Sequence, residues 1–321
     1  FRNIIINGDM SIAQRGTSET GLTNGSSGYY TCDRWQFLEG GTPTSVFTQS
    51  QSTDVPTGQG FSKSLKMDVT TADSTPDGTI QITQKFEGQN LQYLKKGTSS
   101  AESLTCSFWV KSNKTGTYIL ELEDKDNSRS ISKSYTINSS NTWEKKTITF
   151  DGDTTGTYDN DNANSLTMGF FLLAGSTWSS GTLQTSWNTF TAANRAVGQV
   201  NLADSTSNEW YITGVQLEVG SAASDFEFLP HDVNRDRCER YYTTGKARAE
   251  GYRGTAGVVK SMINFRKTMR SSPSISHSSI SNDNVGSTQN EISSDGFGYK
   301  IVSSSSGNVY QNSTYTADAE L

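Results

Sequence analysis

A chain of 321 residues can bury one sizeable core and carry a second, smaller one. Only 32% of it is hydrophobic and 19% charged; Ser, Thr, Asn and Gly fill the remainder, which disfavours long helices and suits short strands joined by turns, while 14 Phe, 13 Tyr and 6 Trp argue against disorder. The formal charge of −6 supplies no basic stripe to displace counterions from phosphates, so nucleic acid is not an expected partner, and no run of about 18 apolar residues marks a membrane-spanning helix.

The strand signals are frequent from the start. "NIIING" is an apolar run ending in Asn-Gly, and "RWQFLEGG" follows it. "GTIQITQKFEG" alternates Ile80 and Ile82 with polar neighbours. In "SLTCSFWVKS", Leu104, Cys106, Phe108 and Val110 form one face and Thr105, Ser107, Trp109 and Lys111 the other. Cys106 thus reads as a small core residue. "GTYILELED", "SYTIN" and "WEKKTITFDG" continue the series, and "LTMGFFLLAG" has the continuous apolar character of a strand buried on both faces. "NEWYITGVQLEVG" closes it, with Val215, Leu217 and Val219 on one face, and "FEFLPHD" offers Phe226 and Phe228 as a last strand stopped by Pro230. Strands without intervening helices predict an antiparallel sandwich over residues 1–230.

Charge then changes sign. Residues 1–234 hold 16 Lys+Arg and 25 Asp+Glu, a balance of −9, whereas residues 235–321 hold 11 and 8, a balance of +3. The shift marks a boundary near residue 230. Across it lies "DVNRDRCERYY", with Asp232 at an N-cap position, Asp236 four residues before Arg240, and Val233, Cys238, Tyr241 and Tyr242 near one face. This predicts a connector helix within residues 231–245, leaving 246–321 as a small C-terminal β-domain with Pro273 at a strand entry and Tyr310 and Tyr315 as packing residues. So thin a core gains stability by self-association.

Chemical motifs are sparse. Cys32, Cys106 and Cys238 form no CxxC pair, and His231 and His277 stand alone, so neither a disulfide framework nor a metal centre is expected. Asp151, Asp153, Asp159 and Asp161 superficially resemble a calcium loop but lack its glycine and bidentate glutamate; a solvated turn is the simpler reading. No GxSxG, P-loop, GxGxxG or HExxH occurs, and neither an enzyme nor a cofactor is expected. In "AGSTWSSGTLQTSWNTFTAANR", Trp178, Trp187, Asn188 and Phe190 lie among small polar residues. Flat aromatic faces can stack on sugar rings while amides bond their hydroxyls, which makes these four candidate glycan contacts; the alternative is that the tryptophans close the end of the sandwich.

"NIIINGDMSIAQRGTS", "GYYTCDRWQF", "SLTCSFWVKSNKTGTY", "NTWEKKTITFDGDTTG", "ITGVQLEVGSAASDFE", "RCERYY", "MRSSPSI" and "YTADAEL" together give the chain its resemblance to bacteriophage tail-fibre and receptor-binding proteins, over nearly its whole length. The resemblance implies a jelly-roll similar to a carbohydrate-binding module, a short helix and a small C-terminal β-domain. It also implies a homotrimer and a virion location on a tail fibre rather than the capsid surface, among other virion proteins and facing host surface glycan; the thin core of residues 235–321, and their surplus of Arg and Lys next to an acidic first domain, place the assembly mainly there, with Arg266, Lys267 and Arg270 meeting carboxylates across subunits. "YTADAEL" would then be the natural C-terminus; independently of the resemblance, the start at Phe1 rather than Met leads us to expect a portion of a longer or processed product. The other readings are a purely structural capsid decoration or head fibre, and a glycan depolymerase or carbohydrate-binding module of a secreted protein.

Overall fold

The structure, a computed structural model, describes residues 2–321. Two compact units divide at His231 and Asp232. In chain order the first holds β1 (Ser18–Leu22), β2 (Gly28–Tyr29), β3 (Gln36–Gly41), β4 (Val46–Ser52), β5 (Ser64–Thr71), β6 (Gly78–Glu87) and β7 (Leu104–Ser112). Then come β8 (Gly116–Asp124), β9 (Arg129–Ile137), β10 (Glu144–Phe150), β11 (Asn164–Ala174), the single-turn α1 (Ser176–Ser179), β12 (Asn188–Thr189) and β13 (Glu209–Val219). They make two antiparallel sheets, ordered β1-β4-β5-β13-β7-β10 and β12-β9-β8-β11-β6-β3-β2. From β5 onward the chain crosses repeatedly between the sheets, giving a jelly-roll sandwich.

Alternation explains the core. Leu104, Cys106, Phe108 and Val110 of β7 point inward and are at most 5% exposed. Phe108 meets Phe170 of β11 edge-on at 5.0 Å, and Phe170 also packs on Trp210 and Trp35 at 6.1 and 6.4 Å. β11 is buried on its outer face too. There Phe171 and Ile119 of β8 pack with Ala196, because residues 175–200 lie across the sheet. Arg195, from that segment, donates to both carboxylate oxygens of buried Glu121, at 2.8 and 3.2 Å from its Nε.

Two expected strands are absent. Residues 3–8 run beside β13, where Ile4 N donates to Leu217 O and Val215 N to Gly8 O, but form no regular ladder. The Asn3 side chain takes the ladder's place: its Oδ1 accepts from Ile5 N and Leu217 N, and its Nδ2 donates to Val215 O. Asn7 and Gly8 then form a plug, with Asn7 at φ +58°, its Nδ2 donating to Ile12 O and Asp33 O. A side chain on Gly8 would begin 2.1 Å from Val215 O. Residues 226–230 are likewise irregular, because Gln216 Oε1 captures Glu227 N.

The division falls after the first residue of α2 (His231–Glu239), and the second unit continues with β14 (Tyr242–Arg253), β15 (Val258–Asn264), β16 (Ser274–Asp283), β17 (Val285–Ser293), β18 (Gly296–Ser303) and β19 (Gly307–Asp318). Two three-stranded antiparallel sheets, β14-β19-β16 and β15-β18-β17, face each other over Phe265, Phe297, Tyr299, Ile301, Val309 and Tyr315. The helix begins one residue before Asp232 and ends at Glu239; Tyr241 and Tyr242 follow it and are buried, as is Cys238. Its i,i+4 ion pair is Arg235 with Glu239 at 2.7 Å. The Asp236 carboxylate instead meets Arg266 at 3.2 Å and Lys267 at 2.8 Å. Arg270 Nε donates to Ala319 O at 2.8 Å. The three basic residues expected to face neighbouring subunits are thus engaged within their own chain.

Candidate functional site

Residues in the polar phase of β7, β13 and β10 form the outer face of the six-stranded sheet. The register sets Lys145 beside Trp109 and Thr147 beside Ser107 on one flank, and Thr213 beside Trp109 and Gln216 beside Ser107 on the other. Between Thr213 and Gln216 the β13–β7 register shifts through a bulge, with Gly214 at φ +62°. A Cβ there would lie 2.5 Å from the Phe61 ring, so glycine is what lets Phe61 sit against the sheet. Phe61 in turn meets Phe226 and Phe228 at 5.1 Å each, and those two meet edge-on at 4.8 Å.

Together these groups enclose a cleft of about 230 Å³. Ser107, Trp109, Lys145 and Gly214 make its floor, and the three phenylalanines, Gln59 and Asp225 its walls. Phe228 is 50% exposed at the rim. The segment carrying Phe61 is tied down at its start, where Trp143 Nε1 donates to Asp54 Oδ1 at 2.9 Å, Lys111 pairs with the same carboxylate, and Ser64 Oγ donates to Asp54 O at 2.6 Å. Burial opposes ionisation of Asp54, but the Lys111 and Trp143 bonds hold its carboxyl below its ordinary value. Beside them Lys111 lies 4.3 Å over the Tyr211 ring, and burial together with Glu209 pushes the Tyr211 hydroxyl up to about 12. Within the cleft, by contrast, the Lys145 ammonium and the Asp225 carboxylate have no side-chain partner among the described residues, so they are available to a ligand.

The four candidate residues from the 175–200 segment are not gathered into this cleft. Trp178 lies on α1, with its ring edge against Gly41 at the β3 end of the seven-stranded sheet. Trp187 lies at the opposite end, partly buried against the main core, and donates from Nε1 to Asp151 O at 2.7 Å. Asn188 is exposed on β12 opposite Ser130, and its carbonyl accepts from Gln184 Nε2. Phe190 lies under the Arg195 guanidinium at 4.9 Å. Trp109 was visible in the sequence as a tryptophan in the polar phase of a strand; Phe61, Phe226 and Phe228 carried no such signal, because two distant loops bring them together.

The acidic cluster also has a definite structure. Asp153 is buried, and its carboxylate takes a two-pronged bond from Arg129, at 2.7 Å from Nε and 3.0 Å from Nη2. Lys96 Nζ lies 3.2 Å from Asp153 Oδ2 and donates to the carbonyls of Thr155 and Gly156 at 2.8 and 3.0 Å. Asp151, Asp159 and Asp161 are exposed. Among the described residues no group of three or more His, Cys, Asp or Glu side chains could hold a metal ion.

No family model and no curated protein sequence matches the chain. Among solved structures it is similar to the enzymatically active domain of tailspike protein 4 from bacteriophage CBA120, at 15% identity and a TM-score of 0.38, over 68% of this chain and 22% of that one. This chain therefore spans less than a quarter of that tailspike structure. It is also similar to the family 11 carbohydrate-binding module of a Clostridium thermocellum cellulase, at 14% identity and a TM-score of 0.31, over 64% of this chain and 97% of that one. A third is the N-terminal cellulose-binding domain of a Cellulomonas fimi glucanase, at 12% identity and a TM-score of 0.31, over 66% and 100% of the two chains.

Proposed function

We propose that the chain is an attachment protein of a bacteriophage virion, carried on a tail fibre, whose first unit holds bacterial surface glycan in the Trp109 cleft. The observation that carries this reading is the cleft's composition: a partly buried tryptophan on the sheet floor, an aromatic wall, and unpaired polar groups around it. Such a set suits a ligand with an apolar ring face and a polar edge. The chain acts by binding rather than cleavage. Glycoside hydrolysis uses two opposed carboxyl groups, and Asp225 is the one carboxylate among the cleft's lining residues. At about 230 Å³ the cleft is smaller than the roughly 300–1,000 Å³ of sites for drug-sized ligands, which suits one sugar ring of a longer chain.

The second unit serves assembly, as a homotrimer. β16 and β17 are both edge strands, with Ile280 and Ile292 exposed at 51% and 41%. Exposed edges of this kind are favoured by burial against another copy. A glycan array of bacterial surface polysaccharides tests the binding role: binding by the chain and its loss in Trp109→Ala are expected, and an array silent at micromolar chain concentration would favour the reading as a structural spacer. Light scattering tests the trimer, and a folded monomer at micromolar concentration would overturn it.

A further inference from the structure

We infer that the sugar ring held in this cleft is an N-acetylhexosamine, with the acetamido methyl against the phenylalanine wall and its N–H donated to Asp225. The inference rests on the glycan-binding reading and narrows it to a substrate class. Around Trp109 the polar groups are unevenly placed. Ser107 and Lys145 lie along the sheet, whereas Phe61, Phe226 and Phe228 form a continuous wall of three rings in mutual contact at 4.8–5.1 Å. A hydroxyl turned toward that wall would lose its water partners and gain none, whereas a methyl loses nothing there and buries apolar surface.

The wall alone would accept any sugar with an apolar substituent, including a 6-deoxyhexose. Asp225 makes the distinction. It precedes Phe226 in the chain, lines the same cleft, and its carboxylate has no partner. An acceptor-only group next to an apolar wall matches the two ends of an acetamido substituent, an N–H donor and a methyl. A hydroxymethyl group can donate to the carboxylate but brings no methyl to the wall, and a methyl substituent brings no donor to the carboxylate, so the acetamido group is the substituent that meets both. Phe228, half exposed at the rim, gains cover when the substituent is in place.

Calorimetric titration of the full chain with three soluble probes tests this: N,N′,N″-triacetylchitotriose, its de-N-acetylated counterpart and cellotriose. Triacetylchitotriose is expected to bind at least tenfold more tightly than either of the others. Asp225→Ala and Phe228→Ser, both at exposed positions, should abolish that preference, Asp225→Ala with the thermal unfolding midpoint unchanged and Phe228→Ser with a lower midpoint but a retained cooperative transition. Equal binding of cellotriose and triacetylchitotriose, both lost in Trp109→Ala, would overturn the acetamido assignment and leave the glycan-binding reading standing. Array binding that survives Trp109→Ala, with none of the three probes titrating, would overturn both the assignment and the cleft as the glycan site.

Discussion

The Nζ of Lys96 lies 2.6 Å from Oδ2 of Asp124, and both side chains are nearly or wholly buried, at 4% and 0% exposure. Asp153 Oδ2 and the carbonyls of Thr155 and Gly156 complete an all-oxygen shell around the ammonium, and the Tyr158 ring lies 5.1 Å from it. One buried lysine thereby joins the segment before β7, the end of β8 and the loop after β10. Removing one partner of a buried pair costs about 3–5 kcal/mol, because the remaining charge is left uncompensated. Lys96→Met should destabilise the first unit by that amount in urea unfolding. Adding Asp124→Asn should recover part of the loss; equal or greater destabilisation in the double variant would refute charge compensation as the cause.

Acid should unfold the first unit in part through Glu144. Burial opposes its ionisation, yet Lys146, the Asn138 and Ser139 backbone amides and the Asn138 side chain hold its carboxyl down to about 2. A carboxyl lowered on folding stabilises the protein above its unfolded value of about 4.3, and that stability is lost as pH falls toward the folded value. Between pH 5 and pH 2 the wild type should therefore lose stability more steeply than Glu144→Gln. Parallel acid-unfolding curves would contradict the assignment.

Gly214→Ala should act on the cleft through Phe61. A methyl at φ +62° both strains the backbone and meets the ring, so a loss of about 1–3 kcal/mol is expected in chemical denaturation. Glycan affinity should fall with it, since the wall moves. Unchanged affinity would show that Phe61 has no part in binding.

Trp187→Ala should separate stability from binding. The substitution removes the bond to Asp151 O and packing against the core, at a cost of about 1–3 kcal/mol, without touching the Trp109 cleft. Differential scanning calorimetry should show the lower transition while glycan affinity is retained. Lost affinity at unchanged stability would return the 175–200 segment to the binding surface.

Period-two alternation made β6, β7, β8 and β13 legible in the sequence, because each buries one face against the opposite sheet. It failed where side chains replaced backbone pairing. Asn3 and Gln216 satisfy the amides that would have formed ladders at residues 3–8 and 226–230, and no hydrophobic period records such a substitution. In "LKKGTS", adjacent lysines look alike, yet Lys95 pairs with Glu102 near solvent and Lys96 enters the interior. Trp109 was readable as a sheet-face residue; its aromatic neighbours depend on contacts spanning more than 160 positions, such as Phe61 with Phe226.

Asp54 and Phe61 fix the two ends of one cleft wall, while residues 57–60 between them are exposed. A stretch clamped at both ends and free in the middle can change its side chains without disturbing the sheet beneath. Mutational drift is therefore inexpensive at Thr57 and Gln59, and costly at the clamps and at Gly58 and Gly60, whose φ of +75° and +84° would strain any side chain. Under the proposed glycan-binding role, selection for a different glycan should change Thr57 and Gln59 first and keep Trp109 and Gly214.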